Sequence, residues 1–160
     1  MFTPRAFAEH DLVWLDRLLE RDPFVTLLTT GADGLPELTR LPVLYRRDGE
    51  RIELRGHWAR ANPQARDAGA AKVLVDGLHG YVSASWYPDK DSAARVPTWN
   101  YASAELRGRL EPFDGEDALA ALVGALSARF EAGVGQAWRF EPERDEQRRQ
   151  LRGIVGFRFQ

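Results

Sequence analysis

Short β-rich segments joined by tight turns are the feature that most limits how this chain can fold. Asp33-Gly34 and Asp48-Gly49 each stand between two such segments, and glycine adopts the positive φ of a hairpin turn without steric cost. In 51–57, Ile52 and Leu54 alternate with charged residues, as on a strand with one face in the core. We therefore predict a mainly β fold with α (α+β), an antiparallel barrel with peripheral helices, rather than a βαβ sheet.

The rest of the pattern predicts the other strands and helices. Strands are predicted at 24–30, 37–46, 51–57, 72–75, 81–86, 98–110 and 153–159. Helices are predicted at 11–21, 114–130 and 141–152, with Asp11 as the first N-cap. The polar segment 59–68 is predicted to be a loop or a short helix beginning at Pro63. A sheet of this size leaves edges that a second copy of the chain can cover. A homodimer is therefore expected.

Length and composition narrow the class of protein. With 160 residues, 44% of them hydrophobic, one domain spanning 1–160 is expected. The absence of cysteine excludes disulfides, zinc-thiolate sites, iron–sulfur clusters and a cysteine nucleophile. No window reaches the run of about 18 apolar residues that a membrane helix needs, and the start lacks the pattern of a secretory signal. A cytoplasmic protein is expected.

Charge and motifs count against several functions. The net charge is -2, from 22 basic and 24 acidic residues, whereas proteins that grip duplex DNA usually carry a clearly positive face. Direct DNA binding is therefore not expected. The sequence has no phosphate loop, dinucleotide fingerprint or nucleophile elbow, and His10, His57 and His79 are not spaced as a metal cluster. No metal site is expected, and no catalytic residue can be assigned.

Three short stretches differ from ordinary core. In Gly56–Pro63, a strand ends where His57, Arg60 and Asn62 come together, and an arginine fork at such a turn suits a phosphate. The structural alternative is a solvated strand end, with Asn62 capping the turn before Pro63. The residues alone favour this alternative.

The other two stretches carry aromatic and small polar side chains. Alternation in 81–87 would place Tyr81, Ser83 and Ser85 opposite Trp86, a surface that suits a flat polar ring or simply faces solvent. In 96–101, Trp99 and Tyr101 flank Asn100, whose amide both donates and accepts hydrogen bonds. Core packing would explain the rings but not the amide. One shared site explains three such stretches better than coincidence does.

These stretches resemble the PaiB-type family, described as FMN-binding negative transcriptional regulators. The similarity extends in order over nearly the whole chain. The strings that carry it are Met1-Phe2-Thr3-Pro4-Arg5-x-Phe7, Leu41-Pro42, Gly56-His57-x-Ala59-Arg60-Ala61-Asn62-Pro63-Gln64, Tyr81-Val82-Ser83-x-Ser85-Trp86-Tyr87, Val96-Pro97-Thr98-Trp99-Asn100-Tyr101, Gly108-Arg109-Leu110 and Gly153-Ile154-Val155-Gly156.

The resemblance implies an FMN-binding split barrel that dimerises with flavin at the interface. It implies that Leu41 and Pro42 lie along the flavin ring, next to Arg40, where family members usually have histidine. It places three side chains near the phosphate: His57, Arg60 and Asn62. The pocket would be framed by Ser83, Ser85, Trp86, Trp99, Asn100 and Tyr101. Because a guanidinium matches phosphate geometry better than imidazole does, Arg60 is expected to carry much of the phosphate recognition.

Three functions remain open at this stage. The first is a flavin-binding dimer with possible redox activity, which needs no catalytic triad because a flavin carries the chemistry itself. The second is negative transcriptional regulation, which the family description implies. The third is a split-barrel dimer that has lost its cofactor. The family usually continues past the last strand into a polar segment, and this sequence ends at Gln160, so weaker flavin binding is one expectation.

Overall fold

Seven antiparallel strands form one sheet in the computed structural model of the chain, which describes residues 3–160. Met1 and Phe2 of the opening motif lie outside the described residues. The strands are β1 Phe24–Thr30, β2 Pro36–Pro42, β3 Leu44–Asp48, β4 Arg51–Ala59, β5 Gly69–Val82, β6 Thr98–Phe113 and β7 Ile154–Phe159. The helices are α1 Leu12–Arg21, α2 Glu116–Gly133 and α3 Asp145–Gln150. The predicted α+β antiparallel fold is confirmed.

The sheet closes on itself because its two edge strands are consecutive in the chain. The strand order is β2-β1-β5-β6-β7-β4-β3, and only Val43 separates β2 from β3. Val43 is 2% exposed, and its N–H donates to the Pro23 carbonyl over 3.0 Å. The prediction of one continuous strand over 37–46 is therefore wrong. At Val43 the chain leaves its partner β1 and begins to pair with β4.

Helix α1 packs its apolar stripe into the barrel. Its N-cap is Asp11, which accepts a hydrogen bond from the Val13 N–H over 3.0 Å, as predicted. Leu15 and Leu19 join the barrel core. The helix is also tied to β3 through Asp16, because the Tyr45 hydroxyl and the Arg47 guanidinium both donate to its carboxylate. The Arg47 and Tyr45 hydrogen bonds lower the pKa of Asp16 to about 2.

A buried amide joins four segments at the turn that follows β4. Gln64, in the short 3-10 helix Pro63–Arg66, is 1% exposed. Its Oε1 accepts from the Trp58 indole N–H over 3.1 Å. Its Nε2 donates to the Thr29 hydroxyl and to the carbonyls of Leu27 and Glu37. Of the two structures predicted for this segment, the short helix is the one observed, and it fastens β4 to β1 and β2.

The prediction of two strands over 72–75 and 81–86 is also wrong. A single strand, β5, runs from Gly69 to Val82 and pairs with β6 along its length, with a bulge between Asp76 and His79. Gly77 lies within this bulge, where a methyl group would come 2.5 Å from the Ala102 carbonyl oxygen. Glycine residues that look like a strand break in the sequence are thus absorbed by a bulge, which adds a residue without ending the pairing.

The helices after β6 partly match the prediction. Helix α2 buries its predicted face, Leu119, Leu122 and Leu126, and packs against β7 and the turn 151–153. The predicted helix over 141–152 is shorter in the structure. Only Asp145–Gln150 is α-helical, because 141–144 form a turn in which the Glu141 N–H bonds to the side chain of Gln147.

Replacing Gln64 with leucine is expected to lower the free energy of unfolding by about 2–4 kcal/mol, because buried donors and acceptors on three strands lose their partner. Urea unfolding followed by tryptophan fluorescence measures this. Arg66→Leu, at an exposed position of the same turn, should change stability by less than about 0.5 kcal/mol. Equal unfolding midpoints for the two variants would contradict this role of Gln64.

Candidate functional site

The outward side of β2 and β1 carries an exposed apolar strip. Strand alternation buries Leu41 in the core at 4% exposure and turns Arg40 and Pro42 outward. The register pairs Pro42 with Phe24, whose ring is partly exposed, and Leu38 is also exposed on this side. We call Leu38, Arg40, Pro42 and Phe24 the β2 face. Because the Leu41 side chain lies inside the barrel, only its backbone is available to a ligand on this face.

Arg40 is the cation of the β2 face. Its guanidinium lies over the Phe24 ring, with 5.1 Å between the guanidinium carbon and the ring centroid. Within residues 3–160, it donates no hydrogen bond and makes no ion pair. A guanidinium whose donors are free, beside an exposed ring, is suited to hold an anion next to a flat apolar group.

His57 lies on the outward side of β4, opposite the buried Trp58. It pairs with Gly156 of β7, which in turn pairs with Phe113 of β6. A methyl group at Gly156 would lie 2.5 Å from the Phe113 ring, so the ring covers this glycine. The end of β2 is near, because the Pro42 carbonyl oxygen lies 3.0 Å from where a methyl group on Gly56 would be.

The His57 imidazole has a polar atom without a partner. Its Nδ1 is buried and makes no hydrogen bond within the described residues. Burial lowers the pKa of His57, and the neighbouring Trp58 backbone only partly offsets this effect. The ring is therefore neutral near pH 7, with one nitrogen able to donate and the other able to accept a hydrogen bond.

Arg60 and Asn62 are both engaged within the chain. Arg60 donates from Nε to the Arg152 carbonyl over 2.8 Å and from a terminal nitrogen to the Ile154 carbonyl over 3.0 Å. Its other terminal nitrogen lies 3.7 Å from the Asp114 carboxylate. Asn62 caps the turn by accepting from the Gln64 N–H and donates to the Thr39 hydroxyl over 2.9 Å. In this arrangement both residues stabilise the end of the barrel.

The aromatic residues of the third stretch lie on a projecting ribbon. The end of β5, His79–Val82, and the start of β6, Thr98–Tyr101, pair with each other and with no other described strand. We call this ribbon the arm. Trp99 and Tyr101 are 54% and 62% exposed, and the register places them on one side with Tyr81 and His79. His79 stacks on Trp99 at 5.8 Å.

The remaining predicted residues sit on or beyond the arm. Asn100 pairs with Gly80 and so points to the side opposite Trp99. Ser83 and Ser85 do not continue the strand, because residues 84–86 form a 3-10 turn in which the Ser83 hydroxyl oxygen accepts from the Ser85 N–H. The predicted alternation therefore fails after Val82. Trp86 is among the most exposed large side chains of the described residues.

Within one chain the predicted residues form two separate groups. Arg40 pairs with Thr26, Thr26 with Leu74 and Leu74 with Glu105, so three strand spacings of about 4.8 Å separate β2 from β6. Tyr101 lies four residues, or about 13 Å, farther along β6. The structure therefore places Arg40 and Pro42 on one outward strip, with the end of β2 beside β4 at Gly56, and leaves the arm rings apart from them.

Three further residues belong to these surfaces and were missed from the sequence. Phe24 and Leu38 complete the β2 face, and His79 joins Tyr81, already placed on a candidate surface by alternation, in the arm cluster. Phe24 and Leu38 are recognisable only once the register of β1 and β2 is known. His79 lies before the predicted strand 81–86, so its contact with Trp99 follows only from the register of β5 and β6.

Two negative findings concern the described residues alone. Between Thr3 and Gln160, no group of three or more histidine, aspartate or glutamate side chains could hold a metal ion. No helix in this part of the chain is long and apolar enough to span a membrane.

Comparison with known proteins decides the family. Residues 1–160 match the family model described as "Putative FMN-binding domain". The Protease synthase and sporulation protein PAI 2 of Bacillus subtilis is 30% identical over 164 residues, which span 99% of this chain and 75% of that protein. The chain belongs to the PaiB-type FMN-binding family. The predicted family and its cofactor, FMN, are thereby confirmed.

Solved structures share the fold at lower identity. The FAD and haem binding protein of Mycobacterium smegmatis matches with a TM-score of 0.64 and 24% identity, over 94% of this chain and 66% of that one. The flavocytochrome Anf3 of Azotobacter vinelandii matches with a TM-score of 0.59 and 16% identity, over 98% of this chain and 67% of that one. These similarities confirm the split-barrel type of fold.

The residues of the β2 face fit a flavin. An exposed apolar strip suits a flat ring, the guanidinium of Arg40 suits a phosphate, and the buried Nδ1 of His57 has no partner inside the described chain. When bound, FMN supplies reversible transfer of one or two electrons. On this chain, Phe24, Arg40, Pro42 and His57 would hold it.

Stability is expected to fall as the pH drops below about 6.5, because the folded state lowers the pKa of His57 and the unfolded chain then binds more protons. Urea midpoints at about pH 8 and about pH 5.5 should therefore differ in the unmodified protein. His57→Gln should reduce this difference, whereas His10→Gln, at an exposed position before α1, should preserve it. An unchanged pH dependence in His57→Gln would show that His57 does not cause it.

Proposed function

We propose that this protein is a flavin-dependent redox protein that works as a homodimer, with FMN held between the β2 face of one chain and the arm of the other. The observation that carries the proposal is the separation of the site residues into two groups. Each chain carries both groups: the β2 face with its cation Arg40, and the aromatic side chains of the arm. The two groups of one chain lie too far apart for a single bound ring to contact both. A second copy related by a two-fold axis would contribute its arm to the first copy's platform.

The exposure of the arm supports this arrangement. An isolated two-stranded ribbon is only marginally stable in water, and here the arm carries four ring side chains on one side. Exposed apolar patches of this kind usually mark an interaction site. A second chain would bury these rings and would also complete the flavin site.

The protein's own residues then have separate tasks. Phe24 and Pro42 would contact one side of the flat ring, and Trp99 and Tyr101 of the second chain would shield it from water. A water-poor site strengthens the electrostatic interactions within it. His57, which burial keeps neutral, would offer a hydrogen bond without adding charge beside the ring.

A subunit-mixing experiment tests the shared site. Pro42→Glu should abolish flavin binding by placing a carboxylate on the platform, and Trp99→Ala should weaken it by removing an arm ring. After the two variants are mixed and equilibrated, half of the dimers pair an intact platform with an intact arm at one of their two sites. About a quarter of all sites should therefore bind FMN again.

The controls use each variant alone and the mass of the unmodified protein. Flavin absorbance and fluorescence report binding, and light scattering reports mass. No recovery on mixing, with both variants still dimeric, would contradict a shared site. A mass of one chain, 18.1 kDa, at micromolar concentration would contradict the dimer itself.

Transcriptional regulation has less support from the chain's own residues. Helices α2 and α3 are separated by residues 134–144, whereas a helix-turn-helix has a turn of about 3–4 residues. Helix α3 has six residues and mixes Arg148 and Arg149 with Asp145 and Glu146. We therefore propose that any regulatory role acts through the flavin or the dimer rather than through direct DNA contact.

A further inference from the structure

We infer that Arg40, and not Arg60, recognises the phosphate of the flavin and makes the protein select FMN over riboflavin. This inference rests on the proposed location of the flavin on the β2 face. The flat ring is common to both ligands, so apolar contacts cannot discriminate between them. Discrimination requires a charged side chain whose donors are free to bind the phosphate dianion.

Arg60 does not meet this requirement. Two of its three guanidinium nitrogens donate to the carbonyls of Arg152 and Ile154, and the third lies 3.7 Å from the carboxylate of Asp114. A phosphate would have to displace hydrogen bonds that fasten β4 to the chain before β7. It would also be placed close to an exposed carboxylate, which repels it. Arg60 is therefore assigned a structural role.

Arg40 meets the requirement. None of its nitrogens has a hydrogen-bond acceptor or a carboxylate partner within residues 3–160. The neighbouring cations differ, because Lys72 on β5 lies 3.5 Å from Glu105 and Arg55 on β4 lies 3.3 Å from Glu53. The Phe24 ring holds the guanidinium by a cation–π contact, which leaves its donors available at the edge of the guanidinium plane.

The position of Arg40 also suits a ligand with an apolar body and an anionic tail. Pro42 and Leu38 lie two residues away on the same side of β2, about 6–7 Å along the strand in either direction. A ring seated on this strip would therefore bring its side chain past the guanidinium. The same strip carries no carboxylate among the described outward residues 36, 38, 40 and 42 of β2.

The test compares matched variants with two ligands. Arg40→Gln should weaken FMN binding roughly tenfold to a hundredfold, the size expected for hydrogen bonds to a charged group. Its affinity for riboflavin should stay within about twofold of the unmodified protein, because riboflavin lacks the phosphate. Arg60→Gln should lower the urea midpoint and should leave the ratio of FMN to riboflavin affinity unchanged. Flavin fluorescence measures both affinities.

Inorganic phosphate provides a second readout that does not depend on the ring. It should compete with FMN in the unmodified protein and should lose this effect in Arg40→Gln. Arg40→Lys should recover part of the selectivity, because it restores the charge without the fork.

The failures of this inference and of the proposed location can be told apart. Suppose that Pro42→Glu abolishes binding of both ligands, as the proposed location requires. The assignment to Arg40 would then be overturned if Arg40→Gln weakened FMN and riboflavin binding equally, or if Arg60→Gln lost the selectivity for FMN instead. Normal binding of both ligands by Pro42→Glu would overturn the location of the flavin on the β2 face, and with it this inference.

Discussion

The buried side chain of Gln64 connects the parts of the barrel on which the rest of the structure depends. It accepts a hydrogen bond from Trp58 of β4 and donates to groups on β1 and β2. In the strand order of the sheet β4 is distant from the neighbouring pair β1 and β2, so a flat sheet would not bring all three to one amide. At such low exposure each of these polar groups would carry a desolvation cost if left unpaired. The amide therefore favours the closed barrel over an open sheet.

Closure of the barrel also creates the candidate site. Because β2 and β3 are joined through Val43 alone, the end of β2 lies beside the middle of β4. The Pro42 backbone then lies beside Gly56, the residue before His57, although 14 positions separate Pro42 from Gly56 in sequence. Asn62 secures the same junction through the Thr39 hydroxyl, and Arg60 ties the end of β4 to the start of β7. The residues of such a site come from several strands and several motifs.

The sequence predicted the class of fold, because local signals determine it. Asp11 as a helix cap, the glycines of the two hairpin turns, and the alternation of β4 all hold in the structure. The predictions that failed depend on partners distant in sequence. The break at Val43 follows from barrel closure, and the continuity of β5 follows from its long partner β6.

The candidate site was predictable in composition but not in geometry. Of the predicted site residues, Arg40 and Pro42 lie on the β2 face, His57 on β4, and Trp99, Asn100 and Tyr101 on the arm. The sequence could not show that the Arg60 donors are used by backbone carbonyls 92 and 94 residues away, whereas those of Arg40 have no partner within residues 3–160. Tertiary packing decides which arginine has free guanidinium donors, and a sequence motif does not show this.

The central claim is that barrel closure forms the flavin platform where β2 runs beside β4. Hydrogen–deuterium exchange measured by mass spectrometry, with and without FMN, tests it directly on the unmodified protein. The account predicts that FMN slows exchange in peptides from both 36–46 and 54–62, together with peptides from the arm. Protection confined to the arm, or to segments outside these three, would contradict it.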